Sequence, residues 1–238
     1  IWSNSIFLNQ NLRMKLNVLF VFAMVFIQAQ TYKFDYFLKY VTSDDRTNSE
    51  RTLQFFVDSK GSGNELLFTK TEKETLVTLL VLDESVKHNF KITNTNFPIK
   101  SNSFIYVDSQ KLSGLKNEDK RRFFKSEILL ENNEKDVFKI KEFKSDKYNK
   151  LRAEAIVEMI PFESNLSVYA LVYLFDYQNI YKKIKFDKSY IMKSGEIKFQ
   201  FPGYGEITSK IKLINMEKQS TEVVLDKSKI KYKKNFAY

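Results

Sequence analysis

The stretch Tyr32-Lys33-Phe34-Asp35-Tyr36-Phe37-Leu38-Lys39-Tyr40 decides the fold class. Tyr32, Phe34, Tyr36, Leu38 and Tyr40 recur at period two, while Lys33, Asp35 and Lys39 occupy the other parity. Successive side chains of a strand point to opposite faces, so this alternation predicts a half-buried β-strand with an aromatic inner face.

Downstream the pattern recurs. Residues 52–58 place Leu53, Phe55 and Val57 on one face, Ser59-Lys60-Gly61-Ser62-Gly63-Asn64 is rich in turn formers, and residues 65–69 return. Together they predict a β-hairpin. Residues 75–82 are apolar on both faces, as expected of an interior strand near the sheet centre. Residues 87–93, 104–108 and 137–143 read as further strands. Residues 152–160 set Ala153, Ala155, Val157 and Met159 on one face. The run Ser167-Val168-Tyr169-Ala170-Leu171-Val172-Tyr173-Leu174-Phe175 is apolar throughout and predicts the central strand. Residues 196–201, 207–213, 221–225 and 230–232 complete the strands. The exception is residues 117–130: Asn117 is a suitable N-cap, acids follow it, and Phe124 and Ile128 are four apart, which predicts one short helix. Many strands, short connections and few helices indicate an all-β, mostly antiparallel fold. It takes the form of a β-sandwich or a strongly curved sheet (half-barrel) with one short helix, because a flat sheet would leave an aromatic face in water.

The N-terminal region has a different texture. Met14-Lys15 precedes the run from Leu16 to Ile27, apolar except for Asn17, and Gln28-Ala29-Gln30 follows with a small residue at Ala29. A positive charge, a short apolar run and a small residue at the cut are the layout of a cleavable signal peptide. The run is about half the roughly 20 residues that span a bilayer. Residues 14–29 are therefore expected to be a signal peptide, residues 1–13 an upstream extension, and residues 30–238 a single β-rich domain that is not an integral membrane protein after cleavage. The signal-like ending followed by an aromatic strand resembles the short exported β proteins of unknown function common in Bacteroidetes, a resemblance that implies no activity. A transmembrane β-barrel fits less well, because Lys234 interrupts the aromatic period Tyr232, Phe236, Tyr238.

Composition narrows the chemistry. The chain has no Cys, which removes thiol nucleophiles, thiolate metal sites and disulfides. Its net charge is +10, and losing Arg13 and Lys15 with the signal would leave +8. Of 39 basic residues only six are Arg, and they are scattered among acids, so no nucleic-acid footprint is expected. His88 is the single histidine; it shares a strand face with Phe90 and Ile92, the position of a core or rim histidine rather than of a metal ligand or triad member. Asp44 and Asp45, Glu154 and Glu158, and Asp176 have no distinctive catalytic spacing. No catalytic, metal or cofactor site is expected. Phe201-Pro202-Gly203-Tyr204-Gly205 combines turn formers with two rings, so Phe201 and Tyr204 are the candidate ligand-binding residues, for stacking on a sugar or peptide, with a plain hairpin turn as the simpler reading.

The expected function is that of a non-catalytic binding or structural protein of the cell envelope, its partner an envelope protein, a lipid or a glycan. The alternative is a carrier of apolar ligands, by analogy with lipoprotein carriers, whose curved sheet holds acyl chains; such a site would be a concave pocket lined by Phe. A carboxylate-dependent glycan-processing enzyme is the third reading.

Overall fold

The computed structural model describes residues 29–71, 74–92, 99, 103–112, 121–201 and 205–233. The expected upstream extension, and all of the expected signal peptide but Ala29, lie outside the described residues.

Eleven strands and two helices follow in the order β1 (Ala29–Asp44), β2 (Ser49–Val57), β3 (Glu65–Lys70), β4 (Thr75–Val81), β5 (Val86–Ile92), β6 (Phe104–Lys111), β7 (Phe123–Glu131), β8 (Asp136–Phe143), β9 (Leu151–Pro161), α1 (Ser167–Phe175), α2 (Ile180–Lys183), β10 (Tyr190–Phe201) and β11 (Gly205–Asp226). They form one sheet in the order β6-β5-β4-β3-β2-β1-β11-β10-β9-β8-β7. Every neighbouring pair is antiparallel. The fold is therefore an antiparallel, single curved sheet rather than a sandwich. Two meanders, β1 to β6 and β7 to β11, are joined along the β1–β11 seam, whose register runs from Ala29 opposite Asp226 to Asp44 opposite Ser209.

Two apolar clusters use this sheet. The first contains Tyr36, Leu38 and Tyr40 of β1, Phe55 and Val57 of β2, Ile140 of β8, and Ala153, Ala155, Val157 and Met159 of β9, roofed by Tyr169, Leu171, Leu174 and Phe175 of α1. The second gathers Tyr32, Phe34 and Phe37 of β1 with Phe56, Leu66, Phe68, Val77, Leu79, Phe90, Val223 and Leu225. The register shifts between Phe34 and Tyr36, which splits the single inner face expected of Tyr32 to Tyr40: Tyr32 and Phe34 join the second cluster, Tyr36, Leu38 and Tyr40 the first, and Phe37, of the other parity, the second. A local irregularity of this kind turns a strand and re-aims its side chains, so a single strand supplies aromatic rings to both cores.

Several expectations are corrected. Ser167–Phe175 is a helix, not the central strand. Its nine residues carry no charge and none is exposed. A helix apolar all round is a buried helix, and a short apolar run carries neither the period of two nor that of 3.6, so periodicity alone does not separate the two states. Burial favours the helix here because its backbone bonds are internal and it can lie on a sheet face without strand neighbours. Conversely, the described part of the expected helix, Phe123–Glu131, is an edge strand, and residues 113–120 lie outside the described residues. A spacing of four is also a multiple of two, so Phe124 and Ile128 share a face of β7 as they would share one of a helix. Residues 75–81 form an interior strand, but two strands from the β6 edge rather than at the centre. Residues 207–213 and 221–225 belong to one strand of 22 residues, and residues 230–232 contribute only an isolated parallel bridge from Tyr232 to Ser109.

α1 packs closely on the sheet at Gly195 of β10. A Cβ added there would lie 2.8 Å from Leu174 Cδ2 and 3.1 Å from Val157 Cγ1. Gly195→Ala is therefore expected to destabilise the chain by about 1–3 kcal/mol through overpacking. The cost should shrink in a Leu174→Ala background, which a double-mutant cycle by urea denaturation measures; an unchanged cost in that background would show that α1 does not press on Gly195.

Candidate functional site

The concave, apolar face expected of a carrier exists, but α1 fills it. Tyr40 and Phe55 stack nearly parallel at 5.9 Å, and Tyr173 of α1 continues the stack onto Phe55 at 5.3 Å. A pocket on the flank of the helix, between Gly63, Glu65, Leu82, Val172 and Tyr181, has a volume of only about 10 Å³, room for about one water and no more.

Polar ties hold the helix at its margins. Near its start the Tyr169 hydroxyl donates to the Asp58 carbonyl (3.1 Å), and on its flank the Tyr173 hydroxyl donates to Glu65 Oε1 (2.8 Å). At its end Arg122 donates to the carbonyls of Phe175 (2.7 Å) and Asp176 (3.0 Å). The same guanidinium grips Glu142 through two bonds of 2.7 and 2.9 Å and lies 4.3 Å from the Tyr177 ring centre. Arg122 and Glu142 are both buried. A cation beside the last carbonyls complements the negative end of the helix dipole, and the planar fork of Arg suits two acceptors at once. Asp176 ends the helix in the left-handed conformation (φ 48°), which Asp tolerates better than most residues.

Glu65 is the unusual member. It begins β3 inside the sheet and is 2% exposed. Burial pushes its carboxyl up to about 7, against the opposing influence of the Tyr173 hydrogen bond. Sequence reasoning passed over it because a Glu after a turn reads as a solvated strand end; its burial comes from α1, 108 residues away in the chain.

A second concavity is open. A groove of about 1140 Å³ runs beside Gln30 to Asp35, walled by Asp58, Lys60, Asn64, Ile99 and Thr221. It exists because β2 pairs only with Tyr36 to Asp44 of β1, leaving the preceding residues without a strand on that side among the described residues. Asp35 instead accepts from the Ser59 amide (2.8 Å). The Tyr32 hydroxyl and Asn64 Oδ1, both buried, have no hydrogen-bond partner among the described residues.

His88 of β5 is 2% exposed, with Nδ1 2.6 Å from Ser109 Oγ, which in turn meets the Tyr106 hydroxyl at 2.7 Å. Burial lowers its pKa. Lys231 and Lys233 bond to the main chain of Ser109, and Ser109 is fully buried. The pair thus ties the C-terminal segment to β6 and offers no accessible nucleophile. The carboxylates are engaged in surface structure. Glu158 meets Lys135 (2.8 Å) and Lys193 (2.7 Å), Glu154 meets Lys141 (3.6 Å), Asp44 accepts from the Arg46 amide of the following turn and Asp45 from the Thr208 amide of β11. Phe201 stands opposite Gly205 in the β10–β11 hairpin, while Tyr204 lies outside the described residues, as does the side chain of Phe201. Among the described residues no group of three His, Asp or Glu could hold a metal ion, and no helix is long and apolar enough to cross a membrane.

No family model and no curated protein matches the chain. Among solved structures, a LolA superfamily protein from Nitrosomonas europaea is similar over 78% of this chain and 85% of that one, with 12% identity and a TM-score of 0.27. At that level of superposition the likeness supports no statement about what this chain binds.

The buried carboxyl makes stability depend on pH in a defined direction. Its pKa is raised from 4.5 to about 7 on folding, so its contribution is intact below the lower value and is lost as pH rises through the upper one. Glu65→Gln is expected to flatten the pH dependence of the urea midpoint across that window and to be more stable than the parent by of order 2 kcal/mol in mild alkali. Parallel pH profiles for parent and variant would refute the buried, protonated carboxyl.

Proposed function

We propose that residues 30–238 act as one exported, non-catalytic binding domain of the cell envelope, which takes up an apolar ligand, such as a lipid or the acyl chain of a lipoprotein, on the sheet face that α1 occupies. The observation that carries this reading is the seat of α1. An uncharged nine-residue helix lies on an apolar face walled by two β meanders, and its polar ties are spread along its margins. An acyl chain has the same surface chemistry as the helix it would displace, so exchange of one for the other costs little apolar burial. The signal-like pattern of residues 14–29 is consistent with export. A second reading, an extended partner or a glycan in the groove beside β1, is favoured by the unpartnered Tyr32 and Asn64 polar atoms there.

A covalent staple separates the two. The chain has no cysteine of its own, and a Cβ at residue 195 would lie 2.8 Å from Leu174 Cδ2 across the interface between helix and sheet. The Leu174→Cys, Gly195→Cys double variant is expected to take up a fluorescent long-chain fatty acid when reduced and to exclude it when oxidised. The parent should retain an extractable lipid adduct in native mass spectrometry. Absence of uptake by the parent, or equal uptake by the oxidised staple, would overturn the carrier reading; a glycan or peptide bound equally by both forms would move the site to the groove.

A further inference from the structure

The two outer strands of the sheet are treated differently. On β6 the amide of Ser109 donates to the Lys231 carbonyl and its carbonyl accepts from the Lys233 amide, both at 2.9 Å. β7 has a neighbour only on the β8 side among the described residues. Seven of its nine residues are exposed, and Ile128, Leu129 and Leu130 are between 46% and 50% exposed. An open edge with consecutive apolar residues is a template for another strand. We propose that this edge pairs with itself: two copies of the chain associate through β7, antiparallel, about a two-fold axis at Ser126.

The residues of β7 choose the occupant and the register. With Ser126 opposite Ser126 of the second copy, Lys125 faces Glu127, Phe124 faces Ile128 and Phe123 faces Leu129, and each pair occurs twice because the interface is isologous. Opposite charges and aromatic or branched pairs directly across two strands stabilise a sheet. A slip of two residues in one direction sets Glu127 against Glu127, and in the other Lys125 against Lys125, so like charges guard the register on both sides. Within one copy Lys125 stands opposite Lys141 of β8, a like charge; its nearest favourable contact is the Tyr148 ring at 4.0 Å, and an acid on its open side completes its surroundings. The register shift between Ile128 and Leu130 ends the regular strand where the self-complementary segment ends.

The two faces of the pairing also fit. Phe124, Ser126 and Ile128 lie opposite Glu142, Ile140 and Phe138 of β8, on the side of the first apolar cluster. Beside Ile128 is a recess of about 340 Å³ walled by Phe138, Phe186 and Tyr190. Phe124 of the second copy, its ring packed on Phe175 and Tyr177 of its own cluster, stands across from Ile128 and shields the exposed isoleucine on the side away from that recess. Lys125 and Glu127 stay on the opposite, solvated face.

Sedimentation equilibrium of the full chain at micromolar concentrations tests the proposal. The parent is expected to dimerise reversibly. K125E and E127K should each weaken the dimer about tenfold or more, because each places like charges across the two-fold axis at two points. The K125E/E127K double variant should recover dimerisation, and an equimolar mixture of the two single variants should form a mixed dimer. Both positions are exposed, so circular dichroism should report an unchanged fold in every variant. A monomeric parent, a dimer indifferent to either single charge reversal, or a double variant as weak as the singles would each overturn the β7 interface.

Discussion

The seam between β1 and β11 is the constraint on which the rest of the molecule depends. Among the described residues it joins the only two strands longer than twelve residues, and its ladder makes one sheet of the two meanders. Both apolar clusters draw residues from β1 and β11. The irregularities after Phe34 and Lys39 are therefore part of the design: they let a single strand turn aromatic rings into two cores on different parts of the sheet.

The first cluster combines strong and weak terms. Packing of α1 on β9, β10 and the β1–β2 aromatic stack is close enough that a Cβ at residue 195 would press on Leu174 and Val157. The margins of the same helix rest on hydrogen bonds, of which the one to Glu65 is costly above neutral pH, because a buried carboxylate loses its hydration and gains only a tyrosine hydroxyl. Arg122 has the opposite character. Its charge is met by Glu142 and by two helix carbonyls, so removing it would strand a buried acid. The end of the helix is thus moored by a buried ion pair, while its flank carries the titratable contact.

Outside the cores, charge follows the ladder. On the solvated face Glu127 meets Lys139, Lys141 meets Glu154, Lys198 meets Glu206 and Lys210 meets Glu196. Such exposed pairs add little individually, but together they give the excess lysine local partners and leave the positive charge dispersed instead of concentrated in a patch. Lys125 ends this ladder at β7, where its strand neighbour among the described residues is another lysine, Lys141.

The fold class was legible because alternation is a local property: the strand over Tyr32 to Tyr40, the Gly61-Ser62-Gly63 hairpin and the inward Ala153, Ala155, Val157 and Met159 stand where their pattern predicts, whereas the single aromatic face expected of Tyr32 to Tyr40 is divided between two clusters by the irregularity after Phe34, which leaves no mark in the alternation. So was the structural role of His88, whose neighbours on its strand face are apolar. The identity of Ser167–Phe175 was not, nor that of Phe123–Glu131. The first has no polar face to report a period, and the second has a spacing common to helix and strand. Nor could the candidate site be read: Glu65, Tyr173, Arg122 and Glu142 are each ordinary in their local sequence and acquire their meaning from partners 20 to 108 residues distant. The sequence by itself determined which residues alternate, where the chain turns and which chemistries lack their side chains. Tertiary structure alone decided which apolar run became a helix, which strand was left at an open edge and which carboxyl lost its water, because each of these depends on what the rest of the chain places beside it.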